Sequence, residues 1–65
     1  MKNTLEALRK QAGISQEELA KALSVSRQTI SSLEKGQYNP SILLAYRIAR
    51  FFKTPVEEIF IDEER

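Results

Sequence analysis

The sequence predicts an all-α fold, a compact bundle of four or five helices in a single small domain. Apolar residues recur at helical spacing, and no segment alternates convincingly as a strand. Cap and stop residues, among them Ser15, Ser26, Gly13 and Gly36, cut the 65 residues into helix-length pieces. A chain of this size hides only about 60% of the surface it exposes when unfolded, so one shared core is all it can build. Repeats, linkers and low-complexity stretches are absent.

The first helix is expected to begin near Asn3 or Thr4, with Asn3 and Glu6 spaced as a capping box, and to stop at Gly13. Leu5, Leu8 and Ala12 share one of its faces. "ISQEELAKAL" follows, with Ser15 as N-cap, Glu18 reaching back to it, and Leu19, Ala20 and Leu23 turned inward. A third helix starts at Ser26 and stops at Gly36. "QYNPS" has turn chemistry, and a longer helix then runs from about Ser41 to Phe52. "TPVEEIF" opens the last helix, with Thr54 as N-cap, Pro55 at the first position and Glu57 closing another capping box. "IFIDEER" has an alternative as a short strand pairing with the N-terminus, a terminal β extension.

Composition removes several function classes. Without cysteine there is no disulfide framework or thiolate metal site. Without histidine the usual general base and the commonest zinc ligand are gone. "SLEK", Ser32 to Lys35, matches a serine–lysine acyl-transfer spacing, but no other element of such a site accompanies it. Glu17, Glu18, Glu57 and Glu58 fall in first turns, where carboxylates favour the helix dipole. The expectation is a protein that is not an enzyme, with no cofactor, metal or small-molecule ligand. The longest apolar run is Ile42 to Tyr46, too short to span a membrane, and "MKN" lacks the apolar core of a signal peptide. A cytoplasmic, reducing setting follows as the simplest reading.

Charge is divided along the chain. Residues 1–53 hold nine Lys/Arg against four Glu, giving +5, whereas residues 54–65 hold five acids and one Arg, giving −4. A basic body suggests a polyanionic partner, and the acidic tail suggests a different one.

"SVSRQTISSLEKG" sharpens that suggestion. On a helical wheel Ile30, Leu33 and Glu34 fall on one side, while Gln28, Ser31, Ser32 and Lys35 cover much of the other and Arg27 sits at the N-terminal edge. The outer face carries no acid. Arginine bridges guanine O6 and N7, glutamine bridges adenine N6 and N7, and serine is short enough to let a helix approach a groove floor. Gln16 to Lys35 has the spacing of two helices packed steeply through a short turn. Ala20 is small where they must approach, and Leu19, Leu23, Val25, Ile30 and Leu33 supply the shared core.

At this point the sequence resembles the Cro/CI-type (Xre) helix-turn-helix transcriptional regulators. The matching pieces are "ISQEELAKAL", "VSRQTISSLEKG", "YNPS" before an apolar helix, and "TPVEEIF", from about Leu5 to Phe60. The resemblance implies a lambda-repressor-like DNA-binding domain over residues 1–65, with its motif at about 16–35. In such proteins the second motif helix lies in the major groove. Carried onto this chain, Arg27 and Gln28 become base readers, with Ser31 or Ser32 deeper along the groove. Gln16 resembles a residue that touches phosphate and braces the reading helix. Ser26, Lys35, Gln37, Tyr38 and Asn39 match backbone-contacting positions, and Ser41 opens a helix whose dipole favours phosphate. Arg9 and Glu34 match a structural ion pair that ties the motif to the body. Many relatives place glycine where this chain has Ser24; a left-handed backbone there costs a non-glycine residue about 1–2 kcal/mol.

The fourth helix looks too apolar for one core. Ile42, Ala45, Ile48, Ala49 and Phe52 form a stripe expected to face the bundle. Leu44 and Phe51 form a second stripe about 80° or more away from its centre. With Val56, Ile59, Phe60 and Ile61 they are the expected dimer interface, within a dimerisation helix and acidic tail at about 54–65. A two-fold homodimer would place two reading helices roughly 34 Å apart, one turn of duplex DNA. The expected function is therefore a bacterial or phage-type repressor-like regulator that binds double-stranded DNA at a two-fold symmetric operator. Control would come from concentration, a regulatory protein partner or dimer dissociation. The alternative is a protein-interaction module, antitoxin-like, that uses the same apolar surface.

Overall fold

A computed structural model describes residues 2–61. In chain order it comprises β1 (Lys2–Asn3), α1 (Leu5–Ala12), α2 (Gln16–Leu23), α3 (Arg27–Glu34), α4 (Ile42–Phe52), α5 (Val56–Ile59) and β2 (Phe60–Ile61). The all-α architecture holds, with a single small addition. β1 and β2 pair antiparallel, Lys2 opposite Ile61 and Asn3 opposite Phe60, so the strand alternative for the segment after Ile59 is the one realised as far as Ile61. Asp62 to Arg65, most of the acidic tail, lie outside the described residues.

Local chemistry sets the ends of the central helices. Ser15 closes a complete capping box on α2: its hydroxyl accepts from the Glu18 N–H at 3.0 Å, and the Glu18 carboxylate accepts from the Ser15 N–H at 2.8 Å. Ser26 accepts from the Thr29 N–H at 3.1 Å, and Ser41 from the Leu44 N–H at 3.1 Å. Gly13 ends α1 at φ 74°, a left-handed conformation that costs glycine nothing.

Two expected capping boxes do not form, because their side chains are engaged elsewhere. Asn3 lies in β1. Its carbonyl oxygen accepts from the Leu5 N–H at 3.0 Å, while its amide donates to the Leu33 carbonyl at 2.7 Å. That bond adds a second donor to a carbonyl near the end of α3, which also accepts from the Gly36 N–H, and ties the terminal sheet to that helix. Thr4 becomes the N-cap of α1, without a side-chain cap bond. At the other end Thr54 donates its hydroxyl to the Phe52 carbonyl at 3.0 Å, so it serves the end of α4 instead of the start of α5. Pro55 takes the cap position, and α5 is a single turn.

One core joins every helix. Leu5, Leu19, Ile30, Leu33, Ile48 and Ile59 are fully buried, with Ala20, Leu23 and Leu44 nearly so. Each large side chain buried in this way contributes roughly 1.5–3 kcal/mol. Val25 and Leu8 are half-buried against the cluster, whereas Ala12 is exposed and takes no part.

The face of α4 differs from expectation. Leu44 is buried (7% exposed) and Ile42 is the most exposed large apolar residue (75%), so the buried stripe runs through Leu44, Ile48 and Phe52. The reason is tertiary. The C-terminal end of α2 faces the Arg47 and Phe51 side of α4, while Ile42 and Ala45 border an open groove with Pro40, Val56 and Phe60, leaving Ile42 exposed. Ile59 is likewise fully buried. Leu44 and Ile59 therefore belong to the protomer core and are unavailable to a partner, a correction to the interface expected from sequence.

Between α2 and α3 the chain turns on Ser24, at φ 61° and ψ 42°, the left-handed region that favours glycine. Its exposed side chain forms no hydrogen bond with a described residue that would offset the strain. Ser24→Gly is expected to stabilise the domain by up to about 1 kcal/mol once the greater freedom of an unfolded glycine is subtracted. For a domain of this size that raises the melting temperature by about 4–8 °C. A lower melting temperature, measured by circular dichroism, would contradict the turn geometry.

Candidate nucleic-acid interface

The outer surface of α3 follows from how its inner surface is anchored. Ile30 and Leu33 are fully buried, which fixes the rotation of the helix and turns Arg27 and Gln28 outward at its N-terminal end. Ser31 and Ser32 are half-buried, set back from that edge. Ser26, Gln28, Thr29, Ser32 and Tyr38 line a shallow polar depression beside the helix. Thr29 was not singled out in the sequence. Its hydroxyl lies 2.9 Å from that of Ser26, so the two form a linked pair at the rim. The Ser-x-x-Thr spacing at a helix start was the one available signal.

Behind this edge lies a charged network. The Arg9 guanidinium donates to Glu34 through Nε to Oε2 at 2.6 Å and Nη2 to Oε1 at 3.3 Å. These side chains are only 11% and 4% exposed. Arg9 also donates Nη1 to the Ile14 carbonyl at 3.0 Å. The hydrogen bond to Glu34 holds the Arg9 pKa above its ordinary value, against the opposing effect of burial. The expected structural pair is thus formed, joining α1 to α3.

The same carboxylate reaches further than the sequence indicated. Gln16 donates Nε2 to Glu34 Oε1 at 3.0 Å, which orients the amide so that its oxygen faces Arg27; Arg27 Nη1 approaches that oxygen at 3.5 Å. Gln16, expected at phosphate, stands between the ion pair and the outermost arginine of α3. One amide N–H remains for a phosphate. The resemblance implied that Gln16 braces α3; its partner Glu34, 18 residues away, was set by the crossing of α2 over α3.

The loop after α3 divides into committed and open groups. The Gln37 N–H donates to the Ser32 carbonyl at 3.0 Å, and the Gly36 N–H to Leu33 at 3.0 Å, so the Gln37 main-chain donor is spent inside the chain. A contact from Gln37 would have to use its side chain. Lys35, Gln37, Tyr38, Asn39 and Ser41 are all exposed. Among the described residues no group of acids could hold a metal ion, and no helix is long and apolar enough to cross a membrane.

The helix-turn-helix family model matches residues 5–59. The chain belongs to the Cro/CI-type helix-turn-helix regulators. An uncharacterized HTH-type transcriptional regulator of Methanocaldococcus jannaschii is 53% identical over 64 residues, covering 98% of this chain and 97% of the relative. The cryptic phage CTXphi transcriptional repressor RstR of Vibrio cholerae is 32% identical over 57 residues, 88% of this chain and 51% of the repressor. The restriction-modification controller protein C.AhdI of Aeromonas hydrophila superposes with a TM-score of 0.75 at 32% identity, over 86% of this chain and 81% of that one. The regulator is therefore a DNA-binding transcription factor with a helix-turn-helix domain, and not an enzyme. In its motif α2 is the first helix, α3 the second, and Ser24 the turn.

Proposed function

We infer that the regulator is a cytoplasmic repressor that binds a two-fold symmetric operator as a homodimer, with α3 in the major groove. The observation that carries this reading is the orientation of α3: its apolar side is fully buried, and Arg27 and Gln28 project from its N-terminal end. In helix-turn-helix proteins that end of the second helix meets base edges. Arg27 and Gln28 read bases, with Ser31 and Ser32 closing on the groove floor. Gln16, Ser26, Lys35, Gln37, Tyr38, Asn39 and Ser41 contact phosphates around them. The hydroxyl of Ser41, which accepts the cap bond of α4, still has its proton to donate. The single domain spans residues 1–65.

The dimer surface we favour combines retained and newly recognised residues. Val56 and Phe60 line an apolar groove with Pro40, Ile42 and Ala45, and Ile61 and Tyr46 are exposed nearby on β2 and α4. Apolar surface of this extent on so small a protein is characteristic of an interface. Ile42→Asp is expected to convert the dimer to monomer without unfolding it, since the side chain is 75% exposed. Sedimentation at micromolar concentration tests this, and an unchanged dimer would remove Ile42 from the interface.

Selection from a random duplex library at about 150 mM salt tests the function as a whole. A two-fold symmetric motif with half-sites about one helical turn apart is expected. The affinity for that motif should then fall with salt at a slope of about −0.9 for each phosphate neutralised. Retained duplexes without a shared motif would point instead to the interaction-module reading.

A further inference from the structure

A second cationic surface lies away from the reading helix. Arg47, Arg50 and Phe51 of α4 face Ala22, Leu23 and Ser24 at the C-terminal end of α2 across an open cleft. None of its lining residues is shared with the polar depression along α3. On α4 Arg47 and Phe51 lie about 140° around the helix from Ile42 and Tyr46, while Arg50, four residues after Tyr46, stands at the border between the two surfaces. The cleft also lies at the end of α4 remote from Ser41, about 9–14 Å along the axis at 1.5 Å per residue.

The chemistry of the cleft is specific. Arg47 donates Nη1 to the Leu23 carbonyl at 3.4 Å, which caps α2 and holds the guanidinium against the cleft wall with its other donors unassigned. The Arg50 side chain has no hydrogen-bond or ion-pair partner among the described residues, and no acid lines the cleft. The two arginines are one helical turn apart, about 5–6 Å between Cβ atoms. Next to Arg47 around the helix, Phe51 remains 43% exposed, its ring edge-on to Phe52 at 4.9 Å. Two guanidiniums without an acidic partner beside an open aromatic ring match carboxylates close to an apolar side chain.

We propose that this cleft, formed by Arg47, Arg50, Phe51 and the Ser24 turn, is a docking site for an acidic peptide segment of a protein partner, with an aliphatic or aromatic side chain seated on Phe51. Charge complementarity selects an acidic ligand. The phenyl floor favours a peptide over a duplex backbone, which presents charge without an apolar anchor. Such a site gives the regulator a route to protein control that leaves α3 free to read DNA.

A phage-displayed random dodecapeptide library panned on the immobilised full-length protein tests the proposal. The expected result is enrichment of peptides that place two or more Asp or Glu within four positions of Leu, Ile, Phe or Trp. Their affinity should drop at least about tenfold in Arg50→Glu, as loss of a charge-assisted hydrogen bond implies. The Arg50 side chain makes no described polar contact, so this variant should keep its fold, and an unchanged melting temperature checks that. Arg47→Ala should weaken the same peptides, and Arg47→Lys should restore part of the loss. Enrichment without acidic character, or equal binding to Arg50→Glu, would overturn the proposal. So would displacement of the peptides by random-sequence duplex DNA, or a flatter salt dependence of DNA binding in Arg50→Glu; either assigns the arginines to phosphate.

Discussion

Glu34→Ala is expected to unfold most of the protein at 37 °C. The carboxylate is 4% exposed and accepts from Arg9 twice and from Gln16 once. Removing it leaves the Arg9 charge largely buried with only the Ile14 carbonyl as partner. Breaking a buried pair in this way costs about 3–5 kcal/mol, because the remaining charge keeps its desolvation penalty after losing its counterion. A 65-residue domain has roughly 3–10 kcal/mol in all, so the loss is comparable with the whole. Urea denaturation of the wild type and the variant measures it directly. A second variant separates charge from shape: Glu34→Gln keeps the volume and one acceptor, and should lose less. A cost below about 1 kcal/mol for Glu34→Ala would place the pair with surface ion pairs and contradict its burial.

Arg27→Ala combined with Gln28→Ala carries the second large effect, on DNA rather than on stability. Both side chains are exposed, and neither belongs to the core, so the melting temperature should change little. Each good bidentate contact to a base is worth about 1–3 kcal/mol of discrimination. Losing two per protomer, and four per dimer, reduces specific binding to the non-specific level, a drop of about 10³-fold or more. Non-specific binding should fall much less, because most of the phosphate-contacting set is retained. Competition between the selected operator and random duplex distinguishes the two. If both affinities fell together, the pair would belong to the phosphate-contacting set. Partner binding through α4 should be unaffected, which separates this reading from the interaction module.

Gln16 connects these two predictions. Its amide is oriented by Glu34 and faces Arg27, so the ion pair that stabilises the domain also biases the position of the outermost arginine on α3. One side chain joins the Arg9–Glu34 pair to the exposed N-terminal end of α3.

Much of this was legible in the chain itself. Caps are local: Ser15 with Glu18, Ser26, Ser41 and Gly13 act on residues within one turn, and the helices they bound lie where the sequence placed them. The inward faces of α2 and α3 were legible because helical spacing on a short amphipathic helix permits one buried side, and Arg27 and Gln28 were left facing outward. The left-handed turn at Ser24 and the Arg9–Glu34 pair were read from the resemblance, and the structure forms both.

Tertiary structure decided what local rules leave open. On α4 both stripes were apolar enough to be core, and the sequence put the Ile42 stripe inward; the packing instead buried Leu44 and exposed Ile42. Asn3 and Thr54 had the spacing of caps, yet better partners existed in Leu33 and Phe52, brought near by the fold. Ile59 went inside because α5 is a single turn laid against the bundle. The meeting of Glu34, Gln16 and Arg27, and the cleft between α2 and α4, join residues far apart in the chain. A periodicity states which residues share a face, whereas only packing states what that face meets.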